Sequence, residues 1–558
     1  LRIRSTAVRL AIPMVALGVL VSGCSGGNKV EAGSSTIGST NDINPHPVED
    51  LAPGGNLRLS LSAMPASFNP MHVDGNTGDT SEVLTPVVPT AWKADAAGQL
   101  NLDTDYYTDI KLTETSPQKV VYTINPKVMW SDGTPLTWED FRAQWQAMNG
   151  TNDEYLVASS SGYERIGSVE RGVDDRQVVV TYKEPYAEWQ GPFSVVLPKA
   201  NFASPQAFNE WARNGLPVSA GPFTITNIDR TQNRITLGRN PNWWGDTPVL
   251  DTITFSVLDN AALLGAMQNN ELDEASMSGL ANVTAASNIP NVTVRRTPRN
   301  YWSHLTFNGA PGALLSDVGV RRAVAKAIDR QAIVDTNQHG IVAEPKVLNN
   351  HVFLNGQKGY QDNAESVAYN PDAAAQELEA LGWVIPPGGT VREKDGRKLI
   401  LKDVMYQQDA WVDMAKIVQA NLAKVGVGLE IQTVPGTGLF TNVIDPGNYD
   451  LAQYSYSGST LPLGSLRQIY YYDPENWQGN KARIGSPELN TLIDQTLREL
   501  DPAKAIEMAN QVDRKIFEEV HSLPLTQSAG VVAVNSKLAN WGAFGLADPD
   551  YTKVGFLK

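Results

Sequence analysis

Six histidines, one cysteine and 60 carboxylates are the groups with which this 558-residue chain could do nucleophilic, acid–base or metal chemistry. The histidines, His46, His72, His304, His339, His351 and His521, are scattered, with no i, i+4 pair to put two ligands on one helix face. There is no HExxH and no CxxC, and the absence of any Gly-Lys dipeptide excludes the usual phosphate-cradling loop. A catalytic carboxylate pair cannot be picked out by spacing. The pattern calls for no enzyme, no metal and no cofactor.

Cys24 has a chemistry of its own. One thiol can form no internal disulfide. It follows Leu20-Val21-Ser22-Gly23, behind which lie an apolar run from Leu10 to Val21 and the cations Arg2, Arg4 and Arg9. That order is the pattern of a secretory signal, and the run is shorter than the roughly 20 residues of a membrane span. Small residues directly before the cysteine resemble the lipobox of bacterial lipoproteins, which implies a diacylglycerol on Cys24 and cleavage before it. Residues 1–23 are then a signal peptide. Residues 24–55, rich in Gly, Ser, Asn and Pro without apolar periodicity, are expected to be a flexible tether.

Single hydrophobic cores stop growing at about 250–300 residues, so a chain of this length is expected to divide in two. With 42% hydrophobic and 19% charged residues it has ordinary globular composition. A net charge of -15 without a basic stripe argues against a nucleic-acid partner.

The elements are α/β in kind. Leu57 to Leu61 alternates as a strand, and Lys119 to Ile124 places Val120, Tyr122 and Ile124 on one face. Thr137 to Asp140 forms a helix-capping box, followed at helical spacing by Phe141, Trp145 and Met148. Asn370-Pro371, Ser486-Pro487 and Asp501-Pro502 each supply an N-cap with proline at the first helical position. Val412, Ala415, Val418, Leu422 and Val425 form a stripe stopped by Gly426, after which Val427, Leu429 and Ile431 alternate as a strand. Arg321 and Arg322 open a helix and are read as a solvated or salt-bridged face.

Several motifs in order resemble the large extracellular solute-binding proteins of ABC importers, family 5, which includes dipeptide- and oligopeptide-binding proteins. They are Trp130-Ser131-Asp132-Gly133, Ser219-Ala220-Gly221-Pro222-Phe223, Arg239-Asn240-Pro241-Asn242-Trp243-Trp244-Gly245, Val320-Arg321-Arg322-Ala323 with Ala327-Ile328-Asp329-Arg330, and Asn370-Pro371 leading to Leu381-Gly382-Trp383. The resemblance implies a two-lobed type II periplasmic-binding-protein fold: lobe I from residues 56–297 plus 528–558, lobe II from 298–527, crossings near Arg296–Phe307 and Pro524–Ser528. It also implies a monomer on the outer face of the cell membrane. There it would pass an oligopeptide or peptide-like ligand to permease subunits and their ATPases.

Aromatic walls and backbone groups suit a cleft closing on a flexible ligand. The resemblance singles out Ser67, Phe68, Asn69 and His72 after the first strand, Tyr301 and Trp302 at the first crossing, and Tyr454, Tyr456, Ser457 and Ser459 after Asn448-Tyr449-Asp450. Core packing is the other reading of each aromatic. Peptide binders of the family often hold the ligand's α-amino group with an aspartate three residues after an aromatic. Here that position is Ser459, or Gly458 if Pro462 sets the register one residue earlier, and neither is acidic. Asp74 is the other acid that could reach the amine. A non-peptide ligand such as a metal chelate, haem or oligosaccharide is the alternative, with a secreted hydrolase the remoter reading.

Overall fold

The computed structural model describes residues 41–435, 438–477 and 479–558. The predicted signal peptide, Cys24 and the first part of the tether lie outside the described residues. The rest of the tether departs from expectation. Leu51–Ala52 pairs as a strand with Leu557 and Phe556, and Asp42 forms a 3.0 Å ion pair with Arg295. Its partners lie some hundreds of residues away in sequence, which local composition does not register.

One core is built on two sheets. Strand Asn56–Leu61 buries Leu57, Leu59 and Leu61 as its alternation requires and pairs in parallel with Thr252–Val257. That sheet continues antiparallel through Arg234–Arg239 to Phe223–Asp229. The other sheet orders Tyr107–Thr115, Gln118–Ile124, Gln177–Tyr182 and Ile166–Arg171. Val120, Tyr122 and Ile124 are buried in it. Helix Trp138–Met148 starts at the predicted capping box, with Thr137 N donating to Asp140 Oδ2 at 2.8 Å, and adds Phe141 and Met148 to the core. Gly221 lies so close to the backbone of Pro86 and Val87 that a Cβ would collide with it, which explains the glycine.

A second core surrounds a six-stranded sheet ordered Glu274–Ser276, Ser522–Asn535, Val292–Phe307, Leu451–Ser457, Ile400–Tyr406, Gly428–Val434. Its last two strands are parallel and joined by helix Asp409–Lys424, the helix-then-strand unit read from the sequence. The proline-started helices Pro371–Ala380, Pro487–Thr496 and Pro502–Glu519 are each capped by the side chain foreseen, Asn370, Ser486 and Asp501. Arg321 corrects the solvated-face reading. It is 6% exposed, and its guanidinium donates to the carbonyls of Leu315, Ser316 and Glu519.

Two long strands link these cores. Val292–Phe307 and Ser522–Asn535 run antiparallel, with the register shifting between Pro298 and Trp302. They carry Val532 and Val534 into the first core and Leu305, Phe307, Leu523 and Leu525 into the second. Both predicted crossing segments lie within them.

Candidate ligand-binding cleft

A cavity of about 1190 Å³ has walls from both halves of the molecule. Val73, Asn76, Tyr155 and the Ser159-Ser160-Ser161 run come from the first, while Arg467, Gln468, Tyr471, Asp473 and Trp477 come from helix Gly464–Tyr470 and the loop after it. Sites for single small molecules usually occupy about 300–1000 Å³, so this space suits a larger or elongated solute. Its chemistry is that of a polar cleft with aromatic surfaces. Arg467 lies 4.0 Å from the Tyr471 ring centroid and pairs with Asp494 at 2.5 Å, so its charge is already met. Asp153, Glu164 and Asp473 make the wall acidic.

Beside the cavity the halves are clasped. The buried Glu188 carboxylate accepts Leu463 N–H at 2.6 Å through Oε1 and Gly464 N–H at 2.7 Å through Oε2. Ala187 N donates to Leu497 O at 2.9 Å, and Arg498 pairs with Glu184 at 2.7 Å. Burial pushes the Glu188 carboxyl up to about 7, against the opposing pull of the two backbone donors.

None of the residues singled out from the sequence lines this large cavity. Ser67, Phe68, Asn69 and His72 are buried, and Phe68 belongs to the first core. Asn69 Nδ2 donates to Phe208 O, and His72 Nδ1 accepts Asp74 N–H at 3.0 Å. They hold the loop whose next residues, Val73 and Asn76, reach the cavity. The pairing of Val292–Phe307 with Leu451–Ser457 brings the second group together. Trp302, Tyr454 and Tyr456 share one face with His304, whose ring stacks on Tyr456 at 4.3 Å. Tyr301 and Ser457 lie on the opposite face and are exposed. Ser459 is exposed, its Oγ accepting Leu461 N–H and its carbonyl accepting from Gln357. Asp74 is held by Arg213 at 2.7 Å, which weakens the case for it as the ligand's anchor.

Sequence reasoning missed Glu188, Tyr155, Tyr471 and Trp477. For Tyr155 the available signal was an aromatic residue near the Ser159-Ser160-Ser161 run, and for Tyr471 and Trp477 it was the aromatic-rich stretch from Tyr470 to Trp477. Nothing local marks Glu188, whose partners lie 275 and 276 residues away. Among the described residues no group of three His, Cys, Asp or Glu side chains could hold a metal, and no helix is long and apolar enough to cross a membrane.

Two α/β lobes joined by paired long strands, with a large cavity walled by both, define a type II periplasmic-binding-protein fold. A match to "Bacterial extracellular solute-binding proteins, family 5 Middle" spans residues 107–478, and the chain belongs to that family. It is 47% identical over 564 aligned residues to the oligopeptide-binding protein OppA of Mycobacterium tuberculosis, covering 100% of this chain and 94% of that one. Among solved structures it resembles a periplasmic EDTA-binding protein, EppA, with a TM-score of 0.83 at 22% identity, covering 94% of this chain and 99% of that one. It also resembles the oligopeptide-binding protein AppA of Bacillus subtilis in complex with a nonapeptide, with a TM-score of 0.70 at 21% identity, covering 91% and 100%.

Proposed function

We propose that this protein is the substrate-binding component of an ABC importer, capturing oligopeptides or peptide-like ligands between its lobes for delivery to a membrane permease. The observation that carries this reading is the 47% identity, over the full chain, to an oligopeptide-binding protein, and the large aromatic and polar cavity agrees with it. Capture needs no catalysis, and the protein acts as a binding protein and not as an enzyme. Residues 56–297 with 528–558 form one lobe and 298–527 the other, and the long strands between them act as the hinge.

The experiment is mass spectrometry of the small molecules released when the purified protein is denatured. A mixed peptide population is the expected result. One discrete non-peptide species would overturn the peptide assignment and favour a chelate, the reading raised by the likeness to an EDTA-binding protein. Ser459 bears on how a peptide is held. Without an aspartate there, the protein is expected to bind peptides with free N-termini more weakly than N-acetylated ones, and equal or tighter binding of the free peptide would refute this. Ser459→Asp should shift preference toward the free amine by about ten-fold, the weight of one charge-assisted hydrogen bond. Paired calorimetry with free and acetylated peptides checks this, and an unchanged ratio in the variant would remove Ser459 from the site.

Diacylation at Cys24 is the proposed anchor to the outer face of the membrane. One acyl chain holds only marginally whereas two hold stably, so Cys24→Ala is expected to move the protein into the soluble fraction. A variant that still sediments with membranes after a salt wash would refute the anchor.

A further inference from the structure

Apart from the interlobe cleft, the second lobe carries a cavity of about 560 Å³ with Arg330, Lys346, Asn349, Asn355, Tyr360 and Asp362 in its wall. Arg330 opens helix Arg330–Asn337 and is only 9% exposed. Its Nη1 donates to Leu348 O at 3.4 Å and Pro524 O at 3.0 Å. Among the described residues its Nε and Nη2 have no hydrogen-bond partner, and no carboxylate stands within ion-pair distance of the guanidinium. Burial pushes its pKa down to about 10, with Asp362 and Tyr360 opposing.

A buried guanidinium without a counter-ion is costly unless something meets its charge. The tie from Nη1 to Pro524 accounts for one edge of the fork as structure, but it leaves the Nε and Nη2 edge unused. That planar edge matches two oxygens of a carboxylate or phosphate. Further donors stand nearby. Asn355 Nδ2 is buried without a partner, and the Tyr360 hydroxyl accepts Asn349 N–H at 3.2 Å, leaving its proton to give. The acidic groups of the wall are already engaged. Asp329 caps its helix through Ala332 N, and Asp362 accepts Asn349 Nδ2 at 2.7 Å and Ala364 N–H at 3.2 Å.

We propose that this cavity is a second binding site, separate from the interlobe cleft, for the oxyanion group of a small solute, a carboxylate or a phosphate, held by the Nε and Nη2 edge of Arg330 with Asn355 and Tyr360 as further donors. The wall is tied to the crossing strand Ser522–Asn535 through Leu348 N to Leu525 O at 3.0 Å and a bridge from Val347 to Thr526. An occupant therefore sits directly behind the strand that links the lobes.

The test is calorimetry of the protein with inorganic phosphate and with succinate, at ionic strength matched with sodium chloride. Saturable one-to-one binding of at least one probe is the expected result, and which of them binds identifies the oxyanion. Asn355→Asp puts a negative charge where a donor stood, while its backbone contact to Gln527 can persist. It is expected to weaken binding by at least about ten-fold. Arg330→Lys keeps the charge but loses the fork, and should also weaken binding if the aspartate variant fails to fold. No saturable binding of either probe at millimolar concentration, or equal affinity in the parent and a folded variant, would overturn the site.

Discussion

Replacing Asp513 with alanine is expected to lower stability by about 3–5 kcal/mol, the effect of leaving several buried hydrogen-bonding groups without their acceptor. Asp513 is fully buried on helix Pro502–Glu519. Its Oδ1 accepts the backbone N–H of His351 at 2.9 Å and stands 2.7 Å from His351 Nδ1, and its Oδ2 accepts Asn363 Nδ2 at 2.7 Å. Alanine leaves these groups without an acceptor in a site that water does not reach, and each unsatisfied group carries a desolvation cost of about 1–3 kcal/mol. His351 Nε2 lies 3.0 Å from the carbonyl of Ser522, so the network also fixes the start of a crossing strand. Asp513→Asn keeps the Oδ1 acceptor but turns a donor toward Asn363, and its loss should be smaller than that of alanine. Urea unfolding checks both: the midpoint should fall with the slope unchanged. A midpoint for Asp513→Ala close to that of the parent would show that the network contributes little.

The elements that were legible in the sequence are those whose signals are local. Asn370, Ser486 and Asp501 cap their helices through atoms two or three residues away, so a short window contains the whole interaction. Alternation gave Leu57, Leu59 and Leu61 their face because a strand repeats every two residues. The site was far less legible. Ser67 to His72 stand next to the cavity in sequence, yet their side chains turn inward, and burial is decided by Phe208 on a distant helix. Arg321 looks like a surface cation until Glu519, 198 residues on, presents its carbonyl. Helix Pro502–Glu519 ends at Val520 with φ 51°, a left-handed residue that no glycine announced. Each miss comes from a tertiary partner beyond the reach of periodicity.

Closure of the lobes is expected to take up a proton at Glu188. Its carboxyl, buried between the halves, is pushed up to about 7, chiefly by loss of solvent. With the lobes apart it returns to water and to an ordinary glutamate value near 4.5. The closed form therefore binds the proton more tightly. The resulting preference for closure is fully present below about 4.5 and is lost as pH rises through about 7. Over that window it amounts to about 3.5 kcal/mol at most, since one pH unit of difference is worth about 1.4 kcal/mol. Tyr186, Glu164 and the Glu184–Arg498 pair sit around the same clasp, and other carboxyls such as Glu82, Glu274 and Asp403 are also pushed up to about 7. A parent curve alone would mix these contributions. The difference between the parent and Glu188→Gln isolates the clasp, because glutamine does not titrate and every other group remains. Ligand affinity of the parent should gain on that of the variant as pH falls from about 8 to about 5, with the steepest change between the two values, near pH 6. Solution scattering at the same pH values should show the parent's radius of gyration falling relative to the variant's. Parallel affinity curves across that range would mean that Glu188 keeps the same protonation in both forms, and that the clasp is not coupled to closure.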